Sequence, residues 1–180
     1  MYKILTVKDR VKVPPEKFGL PLKDSVKAAL EEEMESKIDP SLGVVLAVIS
    51  VEEVGEGKIL PEDPCVHYET VFKILVYKPE LHELIAGEVV DNAEFGAFIR
   101  VGPLDGLVHI SQIMDDFVSY DNKNSIFVGK QTRKTLKEGD KVRARIISVS
   151  WAEQHKIGLT MRQAGLGNLI WLEEEKKKKK

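Results

Sequence analysis

Two phenylalanines and a histidine set close together could place flat rings against nucleic-acid bases. Between Gly87 and Ser111 the chain reads GEVVDNAEFGAFIRVGPLDGLVHIS. Phe95 and Phe98 bracket Gly96-Ala97 on an expected strand, and His109 follows the Gly102-Pro103-Leu104-Asp105-Gly106 turn and a Leu-Val step. On one outer face of a small closed barrel such side chains form a stacking surface for bases. The alternative is that both phenylalanines belong to a core. A second segment weighs against it: in Gly139 to Arg162 (GDKVRARIISVSWAEQHKIGLTMR), Val142, Ala144 and Ile146 alternate with Lys141, Arg143 and Arg145. That pattern predicts a strand with an apolar inside and a basic outside, and a basic face can follow a phosphate backbone.

Catalytic constellations are not legible. Metal-dependent nucleotide polymerisation needs clustered aspartates, whereas Asp115-Asp116 and Asp121 fall in a long polar insertion and read as surface. The run Cys65-Val66-His67-Tyr68-Glu69 offers three ligand types without a second ligand pair, so it reads as a strand edge rather than a zinc site. Phosphate-binding loops, nucleophile elbows and dinucleotide fingerprints are absent from the sequence. No cofactor or metal is expected.

Net charge is −2, but its distribution is uneven. Residues 1–81 carry 11 basic and 15 acidic side chains, which makes that half a poor polyanion binder. Residues 82–163 carry 11 of each, with Lys130, Arg133, Lys134, Lys137, Lys141, Arg143 and Arg145 crowded together. A neutral barrel can therefore present a basic face. At 180 residues with 43% hydrophobic content the chain suits two small domains. No membrane-length apolar run or secretory leader is read, and the single Cys65 excludes an intrachain disulfide. These features point to a reducing, cytoplasmic setting.

The elements that must carry these residues follow from periodicity. Residues 1–81 read as strand, loop, helix, strand, tip, strand. Tyr2 to Val7 is extended. A helix is expected to start near Asp24 as its cap and to stop before Pro40, with Val26, Ala29, Leu30, Met34 and Ile38 on its stripe and a Glu33–Lys37 pair at its edge. Gly43 to Val54 reads as a central strand covered on both faces, and Val66 to Tyr77 alternates with Thr70, Phe72, Ile74 and Val76 on one side. Gly55 to Pro64 is an expected projecting connection with exposed Ile59-Leu60-Pro61, a docking signal. Ser125 to Val128 and Gln131 to Leu136 could pair around Gly129-Lys130.

The second half, through G-x-V before F-G-A-F, then G-L-V-H-I-S, G-D-K-V and I-G-L-T-M-R, resembles the S-one RNA-binding module. That resemblance implies an all-β five-stranded OB-fold barrel over residues 82–163. It implies RNA contacts at Phe95, Phe98, His109 and Lys156, beside the basic Lys141, Arg143 and Arg145. Ser150 and Gly158 depart from the module's usual Asp and Arg, so weaker or less base-selective binding is expected. The first half resembles a truncated ribonucleoprotein-like α+β domain over residues 1–81, without that fold's aromatic RNA-stacking motif.

The order of FGLPLKDSVKAALEEEMESKID, GEGKILPEDP, VFKILVYKP and the barrel is similar to the archaeal RNA polymerase E-prime family, whose eukaryotic counterpart is the seventh subunit of RNA polymerase II. The resemblance implies a non-catalytic stalk protein that pairs with the small F subunit of the polymerase and binds nascent single-stranded RNA. It further implies docking to core polymerase near the clamp through Lys17, Phe18, Gly19 and Leu20 and through Gly57, Lys58, Ile59, Leu60 and Pro61. Cooperation with transcription factor E in open-complex formation, and support of elongation, are also implied. A free-standing translation factor or an RNA-degradation accessory are the alternatives. Residues 164–180 are expected to form a partly disordered tail.

Overall fold

Strand β1 runs from Tyr2 to Val13, longer than the expected Tyr2–Val7, because Val11 and Val13 continue to turn inward beyond the polar Lys8-Asp9-Arg10 stretch. The computed structural model describes residues 1–151 and 157–178. The chain divides into two units, Met1–Lys78 and Pro79–Lys180.

In the first unit, helix α1 (Leu22–Met34) packs on an antiparallel sheet of β1, β4 (Val66–Tyr77), β3 (Gly43–Ile59) and β2 (Ile38–Asp39), in that order. The cap is Pro21, not Asp24: the amides of Asp24 and Ser25 both reach the Pro21 carbonyl at 2.9 Å. Asp24 lies in the first turn, where its charge still favours the helix dipole. The helix ends at Met34, and Ser36 takes φ 65°. Lys37 and Ile38 therefore leave the helix, and the i,i+4 ion pair that forms is Lys27–Glu31 at 3.6 Å. Val26, Ala29, Leu30 and Met34 meet Val45, Val48, Phe72, Ile74 and Val76 in one core.

Strand β3 departs most from its sequence reading. Its register against β4 slips between Val45 and Ala47, Val48 and Ser50, Val51 and Glu53, and Val54 and Gly57. Each slip adds a residue opposite one partner, so Val45, Val48, Val51 and Val54 turn toward α1 at a period of about three. The opposite face is buried at Val44, beside Tyr77, and opens at Ile49, which is exposed. The strand also absorbs Gly57, Lys58 and Ile59, which shortens the expected connection to residues 60–65.

In the second unit, β5 (Leu84–Ala93), β6 (Gly96–Val101), β7 (Leu104–His109), β11 (Lys141–Val149) and β12 (Ile157–Thr160) close a five-stranded barrel. The order is β12-β7-β6-β5-β11, with β11–β12 pairing completing the ring, and β7–β12 is parallel. Ile85, Val89, Ala97, Ile99, Val108, Val142, Ala144, Ile146, Ile157 and Leu159 are buried, among them the Val142, Ala144 and Ile146 whose inward face the alternation of β11 predicted. Between β7 and β11 the insertion folds as a small sheet of β8 (Val118–Asp121), β9 (Ile126–Gly129) and β10 (Thr135–Leu136). The β9–β10 hairpin exists, but its loop spans residues 130–134 instead of two residues. Past β12, β13 (Gly167–Asn168) joins β11, and α2 (Leu169–Lys178) occupies much of the segment expected as a tail. Trp171 is buried, which gives that helix an anchor that the Glu/Lys run conceals.

Candidate nucleic-acid interface

Phe95 sits on the β5–β6 turn, one residue before β6 rather than on it, and is 52% exposed. Its carbonyl accepts from the Ile110 amide at 3.0 Å, which ties the turn to the end of β7. Phe98 is half-buried on the outer side of β6, and the two rings meet edge to face with centroids 5.9 Å apart. Gly96 pairs with His109 across the ladder. A Cβ at Gly96 would overlap the Val108 carbonyl, so the strands approach there only because 96 is glycine. Phe95, Phe98 and His109 thus share one end of the β6–β7 ladder.

His109 does more than offer a ring. Its Nδ1 accepts from the Ser111 amide at 3.3 Å and lies 2.9 Å from the Ser111 hydroxyl, capping the 3-10 turn Ile110–Gln112. With Nδ1 accepting, the neutral ring carries its proton on Nε2, the atom left for a base edge or phosphate. From Phe98 an outward row crosses the barrel: Asp91 pairs with Phe98, Phe98 with Leu107, Leu107 with Gly158, and Gly158 with Ser148. A side chain at Gly158 would collide with the Ser148 hydroxyl. The glycine keeps that row shallow.

The basic residues occupy other rows. Lys141 pairs with Glu88, Glu88 with Arg100, and Arg100 with Asp105, whose carboxylate lies 3.4 Å from Arg100 Nε. This band alternates in sign and largely neutralises itself. Arg143 faces Ala86, and Arg145 faces Leu84 on one side and Thr160 on the other. Lys141, Arg143 and Arg145 all point outward from β11, but β5 separates that strand from the aromatic end of β6 on one side and β12 and β7 on the other. Lys156 lies outside the described residues.

In the first unit the exposed residues singled out by the sequence gather into two places. Phe18 and Leu20 join Leu22, Val66 and Tyr68 around a shallow recess of about 260 Å³. The loop is fastened from beneath: Ser25 Oγ donates to the carbonyls of Lys17 at 2.6 Å and Leu20 at 3.2 Å. Lys17 itself folds back, with Nζ on the Ala28 carbonyl at 3.0 Å and on Glu32, so Phe18, Gly19 and Leu20 form the outward part. Ile59 is 75% exposed and pairs with Val66, while Lys58, Leu60 and Pro61 are exposed around it.

Two aspartates missed by sequence reasoning organise these surfaces. Asp63 accepts from the Cys65 amide and pairs with His67 Nε2, both at 2.9 Å. The Cys65 amide, then the His67 side chain, hold its carboxyl down at about 2. The Cys-x-His run is therefore the entry into β4, with Val66 and His67 already in the strand and Asp63 tying Cys65 and His67 to the turn before it. Among the described residues no group of three or more His, Cys, Asp or Glu side chains is placed to hold a metal. Asp116 accepts from the amides of Gln131 and Thr132 at 2.9 and 2.8 Å and from the Thr132 hydroxyl at 2.9 Å. That draws the β9–β10 loop wider than a two-residue turn. No local signal marks it, because Asp116 and Gln131 are 15 residues apart.

Comparison with known proteins assigns both units. Residues 8–64 match the model described as "SHS2 domain found in N terminus of Rpb7p/Rpc25p/MJ0397", and residues 78–155 match the S1 RNA binding domain. The chain is 41% identical over 180 residues to "DNA-directed RNA polymerase subunit Rpo7" of Saccharolobus shibatae, covering 98% of this chain and 100% of that one. It is 38% identical over 177 residues to the Rpo7 subunit of Sulfolobus acidocaldarius, covering 97% of each. A polyribonucleotide nucleotidyltransferase of Chelativorans is 36% identical over 107 residues, 59% of this chain but 13% of that protein.

Proposed function

Because the chain belongs to the family of Rpo7 subunits of DNA-directed RNA polymerase, we propose that it serves as that polymerase's non-catalytic stalk subunit and guides nascent single-stranded RNA over its barrel. Phe95, Phe98 and His109 stack on bases, while Arg143, Arg145, Lys141 and Lys156 follow the backbone. The observation that carries this reading is the convergence of two exposed or half-exposed rings and an oriented imidazole at one end of β6–β7 in an S1 RNA binding domain.

The first unit docks. Its Phe18–Leu20 loop and its Lys58–Pro61 tip present apolar side chains to water on an otherwise acidic half, which favours a protein surface over a polyanion. Core polymerase near the clamp is the partner for these residues, and the smaller F subunit of the polymerase pairs with this chain in a heterodimer. Work with transcription factor E at initiation, support of elongation and a cytoplasmic setting follow from the same family reading. Among the described residues no helix is long and apolar enough to cross a membrane.

The test is photocrosslinking in reconstituted elongation complexes, with a photoreactive amino acid at position 98 or 109 and radiolabelled transcript. Crosslinks are expected once the transcript has left the core enzyme. Their absence at every transcript length would remove the RNA-guiding role. A second reading, an accessory of RNA degradation, draws on the likeness to polyribonucleotide nucleotidyltransferase. It leaves the first unit without a role, and copurification with exonuclease instead of polymerase subunits would favour it.

A further inference from the structure

Beside the aromatic end of the barrel lies an open recess of about 650 Å³ whose lining includes Ser111, Asp115, Phe117, Gln131 and Arg162. Recesses of roughly 300–1,000 Å³ hold small organic ligands, so this one is large enough for a nucleoside. Phe117 is 66% exposed, more than Phe95, and Lys130 Nζ rests 4.3 Å from its ring centroid. The two are locked together by backbone: the Lys130 amide donates to the Phe117 carbonyl at 2.9 Å. We propose that this recess is a second subsite for single-stranded RNA, in which Phe117 stacks on a base and Lys130 meets the adjoining phosphate. The inference rests on reading the Phe95, Phe98 and His109 face as the first subsite.

Three observations select RNA as the occupant. The recess is continuous with that face, since Ser111 lines it and touches His109 Nδ1 at 2.9 Å, while Ile110, also in its wall, holds the Phe95 carbonyl. An ammonium lying on an exposed ring keeps a stacking platform and a phosphate ligand side by side, and a base on the ring releases the ammonium to the phosphate. The carboxylates present are already engaged: Asp115 takes Arg162 Nε and Nη2 at 2.9 and 2.7 Å, and Asp116 is occupied by the 131–132 turn. Arg162 in the wall, with Lys130 lying on Phe117 beside it, offsets the charge of the two acids toward a phosphate.

The experiment compares oligouridylates of four and twelve nucleotides on the full chain by fluorescence anisotropy. Barrels of this type occupy about 4 to 16 nucleotides, so the tetramer fills one subsite and the dodecamer both. Phe117→Ala is expected to weaken the dodecamer roughly 5- to 150-fold and to leave the tetramer within about twofold, with Phe117→Trp restoring affinity. Lys130→Ala should lower the salt slope for the dodecamer by about one contact. Equal dodecamer affinity for parent and Phe117→Ala overturns the subsite, and if that variant instead weakens binding to core polymerase the recess is a protein surface. An equal loss for both lengths overturns a separate subsite by merging Phe117 with the first. The prior reading fails independently, if Phe98→Ala and His109→Ala leave tetramer binding unchanged. Melting by circular dichroism accompanies each variant, and Phe117, being mostly exposed, can be truncated without opening the core.

Discussion

The rings of Phe95 and Phe98 meet at 89°, edge to face, with centroids 5.9 Å apart. One ring on a turn and one on a strand therefore act as a pair, in a geometry that contributes about 0.5–1.5 kcal/mol beyond area burial. Because Phe98 is half-buried and Phe95 mostly open, the strand residue supports the turn residue against its own flexibility.

Truncating either ring should weaken single-stranded RNA binding by about 1–3 kcal/mol. The double variant should lose less than the sum, by about 0.5–1.5 kcal/mol, since the second truncation removes a ring whose support is already gone. Isothermal titration of all four proteins measures the cycle. Strict additivity would mean that the rings bind RNA independently.

Salt dependence should separate the basic residues. Arg143 faces Ala86, so Arg143→Ala should flatten the log-affinity against log-salt slope by about 0.7 for single-stranded RNA. Lys141 sits opposite Glu88 in the alternating band and should change the slope by less. Equal slopes for the two variants would show that Glu88 leaves Lys141 as available as Arg143.

Two glycines next to the candidate site should respond differently to alanine. At Gly96 the obstructing atom is the Val108 carbonyl, which cannot move without parting β6 from β7. Gly96→Ala should cost about 1–3 kcal/mol in urea unfolding. At Gly158 the obstruction is the Ser148 hydroxyl, which can rotate away, and the loss of unfolded-state freedom returns about 0.4–1 kcal/mol. Gly158→Ala should therefore be near neutral, and a loss as large as that at Gly96 would contradict this account.

The tip should be separable from the fold. Ile59 is 75% exposed and Leu60 also open, so Ile59→Ser with Leu60→Ser should leave stability within about 0.5 kcal/mol per substitution. Association with core polymerase should be lost while RNA binding by the isolated chain persists. A double variant that assembles at parental affinity in gel-shift reconstitution would move the docking surface elsewhere.

The tip turn should also be acid-resistant. Asp63 is held at about 2 against 3.8 for an ordinary aspartate, chiefly by the Cys65 amide. A depressed carboxyl contributes stability in full above its unfolded value and loses it as pH falls from about 3.8 through about 2. The Cys65 amide resonance, followed by NMR, should therefore hold its folded position through about pH 4 and shift near pH 2. In Asp63→Asn the acid transition should vanish, and a midpoint near the ordinary aspartate value in the parent would refute the anchoring.

Much of this was legible in residue order. Alternation of Val142, Ala144 and Ile146 with Lys141, Arg143 and Arg145 fixes which side chains of β11 face the barrel interior, because side-chain direction reverses at each residue of a strand. The FGAF and GLVHIS segments carry the aromatic end of the site for the same local reason, with Gly96 marking where the strands must touch. The period of three in Val45, Val48, Val51 and Val54 was also present, but an unbroken apolar run reads equally as a strand covered twice. Only pairing with β4 distinguishes repeated bulges from full burial.

Tertiary structure alone decided which neighbours each outward side chain meets. That Lys141 falls opposite Glu88, that Phe98 leads through Leu107 to Gly158 and Ser148, and that Asp116 clasps a loop 15 residues away are matters of register between distant segments. A strand's own periodicity sets only the face on which a residue lies. Its position along that face is set by hydrogen bonds to strands remote in sequence, which local periodicity does not encode.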